Sequence, residues 1–272
     1  MRSIPEMGIL NSYIIASVQR SGTHLLCTLL RSTGVAGLPA EHFLAKPGET
    51  WERRWKSPSR MQYIQRVLQD NTTANGVFGT VIMWSYFDRM LQMLRDIPKY
   101  HAPDNADLLA SVFHRPKYVW LRRRDRVEQA VSWAIACQTG VWAQKAGQKP
   151  RPRGVPKFDF KVIDEWCNRI AQHNTAWGNY FRENRIEPLT LFYEDLVASN
   201  RAAVERVLEF LHVPLPARIE IVRYGLEKQA DEMSARWVAA YLERKNDSVG
   251  KRDRIMRRLK QSLKRKEGPE VS

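Results

Sequence analysis

The chain has 272 residues, 43% hydrophobic and 27% charged, which excludes a disordered polymer and suffices for one α/β domain with a full core. Its net charge of +15 calls for an anionic partner, but nine Lys or Arg against one Asp between Lys251 and Lys266 supply about half of it. No run approaches the roughly 18 apolar residues of a membrane span and no apolar leader follows Met1, so neither an integral membrane protein nor a secreted one is expected.

Ser12 to Ser17 (SYIIAS) is a short, β-branched apolar run and predicts a buried strand. After the loop Val18 to Gly22, Leu25, Leu26, Leu29 and Leu30 fall at helical spacing and predict a helix over Thr23 to Ser32, capped by Thr23. Further strands are predicted at Val77 to Trp84, Lys117 to Arg123 and Pro188 to Tyr193. Helices are predicted near Tyr86 to Asp96, Asp125 to Thr139, Phe160 to Arg182, Arg201 to Leu211 and Ser234 to Lys245. This alternation predicts an α/β fold with a central parallel sheet flanked by helices and ligands at the carboxyl ends of the strands. Gly140 to Pro156, rich in Gly, Pro and basic residues, reads as a surface loop or lid. Residues 1–250 are expected to form the domain, and 251–272 a basic tail. Cys27, Cys137 and Cys167 are odd in number and lack metal-ligand spacing, so neither disulfides nor a metal site is expected, which fits a reducing cytoplasm.

In Gln19-Arg20-Ser21-Gly22-Thr23 a strand runs into a helix N-terminus, where unpaired N–H groups and the positive dipole end favour a phosphate. Gly22 permits close backbone approach, Arg20 offers a positive fork, and Ser21 and Thr23 carry hydroxyls. The run lacks the G-x-x-x-x-G-K-[ST] pattern, in which Lys reaches terminal phosphates and Ser/Thr holds magnesium. A second anion site is expected after the third strand, where Arg122, Arg123 and Arg124 precede Ser132; either Arg123 or Arg124 can join that serine on one phosphate.

These segments together resemble sulfotransferases that use 3′-phosphoadenosine-5′-phosphosulfate (PAPS), in the bacterial family that includes trehalose 2-sulfotransferase and, more distantly, nodulation-factor sulfotransferases. The resemblance rests on Gln19 through Leu26, on Thr33-Gly34-Val35-Ala36-Gly37 leading to Glu41, on Val77-Phe78-Gly79 and on Met83-Trp84. It continues through Arg122 to Asp125 with Gln129-Ala130-Val131-Ser132, Gln138-Thr139 with Trp142, Tyr193-Glu194-Asp195-Leu196, and Lys228-Gln229-Ala230-Asp231 with Ser234 and Trp237. It implies a P-loop-like sulfotransferase fold and PAPS as donor, with no metal required. It further implies that Arg20, Ser21, Gly22, Thr23 and His24 face the 5′-phosphosulfate, that Ser132 with Arg123 or Arg124 holds the 3′-phosphate, and that Lys228 and Gln229 close over the nucleotide. Glu41 matches the family's catalytic base, with Arg20 beside it in catalysis. The chain departs from the trehalose enzymes in His24, where they carry Ser/Thr and the nodulation-factor relatives carry histidine, and from the family in Thr80, where a lysine is usual.

By position, Gln19 and the run Leu38, Pro39, Ala40, Glu41, His42, Phe43 and Leu44 are expected to line the acceptor pocket. Trp51 or Trp55 is expected to stack on a sugar ring. In Lys251 to Lys266, Ile255, Met256, Leu259 and Leu263 share one helical face, which suits peripheral contact with an anionic membrane surface, and so a glycolipid acceptor, or a homodimer contact; no nucleic-acid motif is present. The expected activity is direct sulfuryl transfer from PAPS to a carbohydrate or glycolipid hydroxyl. A metal-dependent small-molecule kinase and a nucleotide-binding membrane-surface protein without turnover are the rivals.

Overall fold

Four parallel strands carry the fold: β1 (Asn11–Ser17), β2 (Val77–Met83), β3 (Lys117–Arg122) and β4 (Leu189–Phe192), in the order β2-β1-β3-β4. The structure is a computed structural model and describes residues 8–46, 48–100, 102–142, 152–215 and 232–247. Every residue of β1 beyond Asn11, and all of β2, is buried, which is why both read as unbroken runs rather than alternating ones.

The helices are α1 (Thr23–Ser32), α2 (Trp51–Trp55), α3 (Arg60–Asp70), α4 (Trp84–Arg95), α5 (Asn105–Phe113), α6 (Arg126–Thr139), α7 (Phe160–Glu183), α8 (Tyr193–Ala198) and α9 (Asn200–Leu211). A further helix, α10, spans 232–247. The chain leaves β1 toward β2 and then crosses back to β3 and on to β4. The α2/α3 aromatics Trp51 and Tyr63 pack through Phe43 against Phe113 of α5, while α4 packs on α7 through Trp84, Phe87 and Trp177. Adjacent strands whose connections leave in opposite directions open a crevice at their carboxyl ends, and here those strands are β1 and β3. Long α7 braces this point: the Trp177 indole N–H donates to the Ser17 carbonyl at 2.9 Å, and the Tyr118 and Tyr180 hydroxyls meet at 3.1 Å. α10 docks on α7 through Tyr241 and Lys245, 2.7 Å and 2.5 Å from Oδ1 of Asp164.

The parallel sheet and its flanking helices match the sequence expectation, with element ends shifted by a residue or two. Four helices were not anticipated. α3 has its apolar stripe at Tyr63, Ile64, Val67 and Leu68 and is capped by Ser59; α5 is capped by Asp104; α2 and α8 are too short to show a period. Thr23 is not a cap. Gly22 occupies that position in the left-handed region at φ 88°, and no side-chain cap bond is present among the described residues. Lys228, Gln229 and the tail 251–272 lie outside the described residues, as does 143–151 of the expected lid. The ends of that loop are tied together, Lys157 N–H donating to Gln138 Oε1 at 2.7 Å and Gln138 Nε2 returning to the Lys157 carbonyl at 3.0 Å.

Candidate active site

The loop after β1 is shaped by two consecutive conformational demands. Arg20 sits at φ 67°, a left-handed conformation that costs a non-glycine residue about 1–3 kcal/mol and persists only where its surroundings impose it. Gly22 follows at φ 88°; a Cβ there would stand 2.5 Å from Cδ2 of Tyr193, whose ring lies against the loop. Gln129, wholly buried on α6, holds the loop from beneath by donating to the Gln19 carbonyl at 2.7 Å and to the Ser21 hydroxyl at 3.0 Å. Ser21 in turn donates to the Val18 carbonyl at 2.8 Å. The Ser21 hydroxyl is therefore a loop brace with its one proton turned inward, not the ligand donor expected from sequence. Gly22, having no side chain, leaves the α1 N-terminus without a cap of its own.

Arg20 reaches across the β1/β3 crevice. Its Nε donates to the Ser132 hydroxyl at 2.9 Å and its terminal nitrogen to the Trp142 carbonyl, so the two expected anion sites meet in one place. Arg123 is close enough to join burial, the larger cause, in lowering the Arg20 pKa. Two like charges near each other in a partly desolvated crevice favour an anion between them.

The arginine triplet divides. Arg123 is only 10% exposed, bonded to Glu128 at 2.5 Å, with its guanidinium 4.7 Å from the Tyr193 ring centre and Nε without a hydrogen-bond partner among the described residues. Arg124 is 48% exposed and forks onto both oxygens of Asp195 at 2.8 Å, while its N–H and that of Asp125 donate to Glu194. Arg122 stacks on Trp120 at 4.3 Å.

Glu41 lies on the far side of β1, beside β2. Gly37, at φ 71°, lets its loop cross β2 so closely that a Cβ would stand 2.9 Å from both the Gly79 nitrogen and the Val77 carbonyl. Burial raises the Glu41 pKa, while a Tyr86 hydrogen bond and then Arg54 pull it down. His42 stacks on Phe78 and contacts the Leu38 carbonyl at 3.2 Å; burial lowers its pKa to about 4, so it is neutral at pH 7. Thr80, fully buried, gives its hydroxyl to the Ala40 carbonyl at 3.2 Å and supplies no charge.

The remaining acceptor residues separate by burial. Phe43 and Trp51 are shut inside an aromatic cluster with Tyr63 and Phe113, the Trp51 indole N–H donating to the Phe43 carbonyl at 3.1 Å. Trp51, at 0% exposure, therefore has no face to offer a sugar, and Phe43 and Pro39 are likewise buried rather than pocket-lining. Trp55 is 43% exposed, stacked on Tyr63 with ring centres 5.9 Å apart. Leu38, Ala40 and Leu44 are half-buried, and Gln19 bonds to Ser85. His24 is exposed on the first turn of α1, and Thr23 half-buried beside it. Sequence reasoning missed Tyr86 and the bracing role of Gln129, although Gln129 stood within the matched run to Ser132. Among the described residues no three His, Cys, Asp or Glu side chains form a metal-holding group, and no helix is long and apolar enough to cross a membrane.

A parallel sheet whose switch point holds a helix starting on glycine, two neighbouring arginines and a serine defines an α/β protein with a candidate anion site at the carboxyl ends of its strands. Residues 12–244 match the family model described as Stf0 sulphotransferase, and the chain belongs to that family. It is similar to the trehalose 2-sulfotransferase of Mycolicibacterium smegmatis, 28% identical over 260 residues covering 85% of this chain and 94% of that protein. The trehalose 2-sulfotransferase of Mycobacterium tuberculosis is 26% identical over 259 residues, covering 84% and 93%. The protein is thus a sulfotransferase, as the resemblance implied.

Proposed function

We propose that this sulfotransferase moves the sulfuryl group of PAPS to a hydroxyl of a carbohydrate or glycolipid acceptor by direct in-line transfer, with Glu41 as base. The observation that carries the reading is the Arg20 to Ser132 contact at 2.9 Å, with Arg123 close by, which joins both anion sites at the β1/β3 switch point. In this reading Arg20 and the N–H groups at the start of α1 hold the 5′-phosphosulfate, and Ser132 with Arg123 holds the 3′-phosphate. Arg123 is preferred to Arg124 because its side chain is 10% exposed, lies near Arg20 and has one carboxylate partner, Glu128, whereas Arg124 is 48% exposed and held by two, Asp195 and Glu194.

Transfer needs a proton removed from the acceptor and a charge held on the leaving phosphate. A carboxylate made more basic by burial suits the first task, and Glu41 is such a group. Thr80 brings no cation, so Arg20 carries the second. The carbohydrate acceptor is supported by the two relatives, both named for trehalose, and Trp55 offers the exposed aromatic face on which the apolar side of a sugar stacks.

The test is transfer of radiolabelled sulfate from PAPS to trehalose and a panel of glycans in the presence of EDTA. Labelled sulfate is expected on an acceptor; its absence, with radiolabelled phosphate instead transferred from ATP in a parallel assay with magnesium, sinks the reading. Glu41→Gln is expected to lower transfer by about 100-fold or more while leaving affinity for 3′-phosphoadenosine-5′-phosphate intact. Full activity in that variant removes Glu41 from its role.

A further inference from the structure

Glu41 stands at the apex of a three-residue turn, because the His42 N–H donates to the Ala40 carbonyl at 2.9 Å. That carbonyl is also held from β2, by the Val81 N–H at 2.9 Å and the Thr80 hydroxyl at 3.2 Å. On the other side of the turn the Tyr63 hydroxyl donates to the His42 carbonyl. The backbone is anchored before and after Glu41, which leaves the side chain little freedom beyond its own torsions. Tyr86, buried in the first turn of α4, completes the arrangement. Its hydroxyl donates to the Val81 carbonyl at 3.1 Å and lies close enough to the Glu41 carboxyl group to lower its pKa.

We infer that Thr80 and Tyr86 are positioning residues for the base, Thr80 aiming Glu41 through the Ala40 carbonyl and Tyr86 holding its carboxyl group in both protonation states. The inference rests on the reading of Glu41 as base. A phenol has one proton and can give it to one acceptor at a time. When Glu41 is ionised, the Tyr86 proton turns from the Val81 carbonyl, where the structure has it, to the carboxylate. Once Glu41 has taken the proton of the acceptor hydroxyl, its new O–H donates to the Tyr86 oxygen, and the Tyr86 proton turns to the Val81 carbonyl. The hydroxyl rotates and no further covalent bond changes. Neither state leaves the carboxyl group buried without a partner, which would otherwise oppose the transfer.

The groups that act on Glu41 come from three elements: Cys27 of α1, Arg54 of α2 and Tyr86 of α4. Burial, followed by the nearby Glu41, pushes the Cys27 thiol up to about 12, so it stays neutral and adds no charge at pH 7. Arg54 and Tyr86 remain to favour the carboxylate, and of these Tyr86 has the larger effect.

Infrared spectroscopy of the full chain across a pH series tests the inference, with the Glu41 carboxyl band identified as the one absent from Glu41→Gln. Tyr86→Phe keeps the ring and removes the hydroxyl; it is expected to move the titration midpoint upward, because the bond it deletes favours the charged form. Thr80→Val is expected to speed amide hydrogen exchange in the Leu38 to Phe43 segment about tenfold, and Thr80→Ser to restore it. A midpoint unchanged in Tyr86→Phe, or exchange unchanged in Thr80→Val, overturns the inference. Sulfuryl transfer to trehalose, measured on Glu41→Gln in parallel, judges the base separately: full activity there discards the base while the infrared and exchange results still report the positioning contacts.

Discussion

Two helices begin at the crevice between β1 and β3, and they end differently. α1 starts on a left-handed glycine, which has no side chain with which to cap it, whereas α6 is capped by Asp125, which accepts from Glu128 N–H at 2.8 Å. Just ahead of α6, Glu194 takes the N–H groups of Arg124 and Asp125. Both ends carry the same backbone dipole, yet among the described residues it is the α6 end that the protein's own carboxylates fill, and the proposed function gives the α1 end to an anion. A helix N-terminus is thus a ligand site only where the sequence withholds the cap. In the proposed function the second phosphate is therefore given to side chains, Ser132 and an arginine.

The sharpest way to break this contrast is at α1. Gly22→Ala forces a Cβ against Tyr193 and a left-handed backbone on alanine. It is expected to cost about 2–4 kcal/mol of stability and more than about 100-fold in affinity for 3′-phosphoadenosine-5′-phosphate, read by denaturant unfolding and calorimetry. Next comes the triplet. Arg123→Ala should weaken the same nucleotide about 30-fold and Arg124→Ala less than about threefold. The reverse order would mean that Arg124 leaves Asp195 for the phosphate. At α6, Glu194→Gln removes the charge but keeps an acceptor; stability should fall by about 1 kcal/mol with nucleotide affinity unchanged. The smallest effect belongs to Asp195. Its hydrogen bond to Arg124 lowers its pKa below the usual 3.8, so its contribution to stability is present above that value and lost as pH falls through the lower, folded one. Being exposed, it should shift the melting temperature only slightly between pH 5 and pH 3, and Asp195→Asn should remove that increment.

The α1 end was legible in the sequence because every part of it is local: an apolar strand, a loop with Gly22, and leucines at helical spacing. The sheet followed for the same reason. The α6 end was half legible, since the triplet and Ser132 lie in one run, but the carboxylates that tie up Arg124 come from 70 and 71 residues away. Glu41 was named by resemblance, and its setting was invisible. Tyr86, Thr80 and Val81 reach it only because Gly37 lets the loop cross β2. Trp51 and Trp55 show the same limit at smaller scale. They sit four residues apart around a helix of five residues, too short for periodicity to reveal, and only packing against Phe43 and Tyr63 buries one and leaves the other partly open.

β2 lies at the margin of the sheet, and its seven residues are buried throughout. An uncovered strand of that kind is a template for pairing with another chain. Its outer rim is closed by Thr72 and Thr73, which bond to Phe78 and Val77, and by the Ala40 carbonyl on Val81. The segment that presents Glu41 is therefore also the guard of the sheet's margin. Lesions that loosen it would be expected to surface as aggregation as well as lost turnover, so insoluble variants in this segment are no evidence against a part in the chemistry.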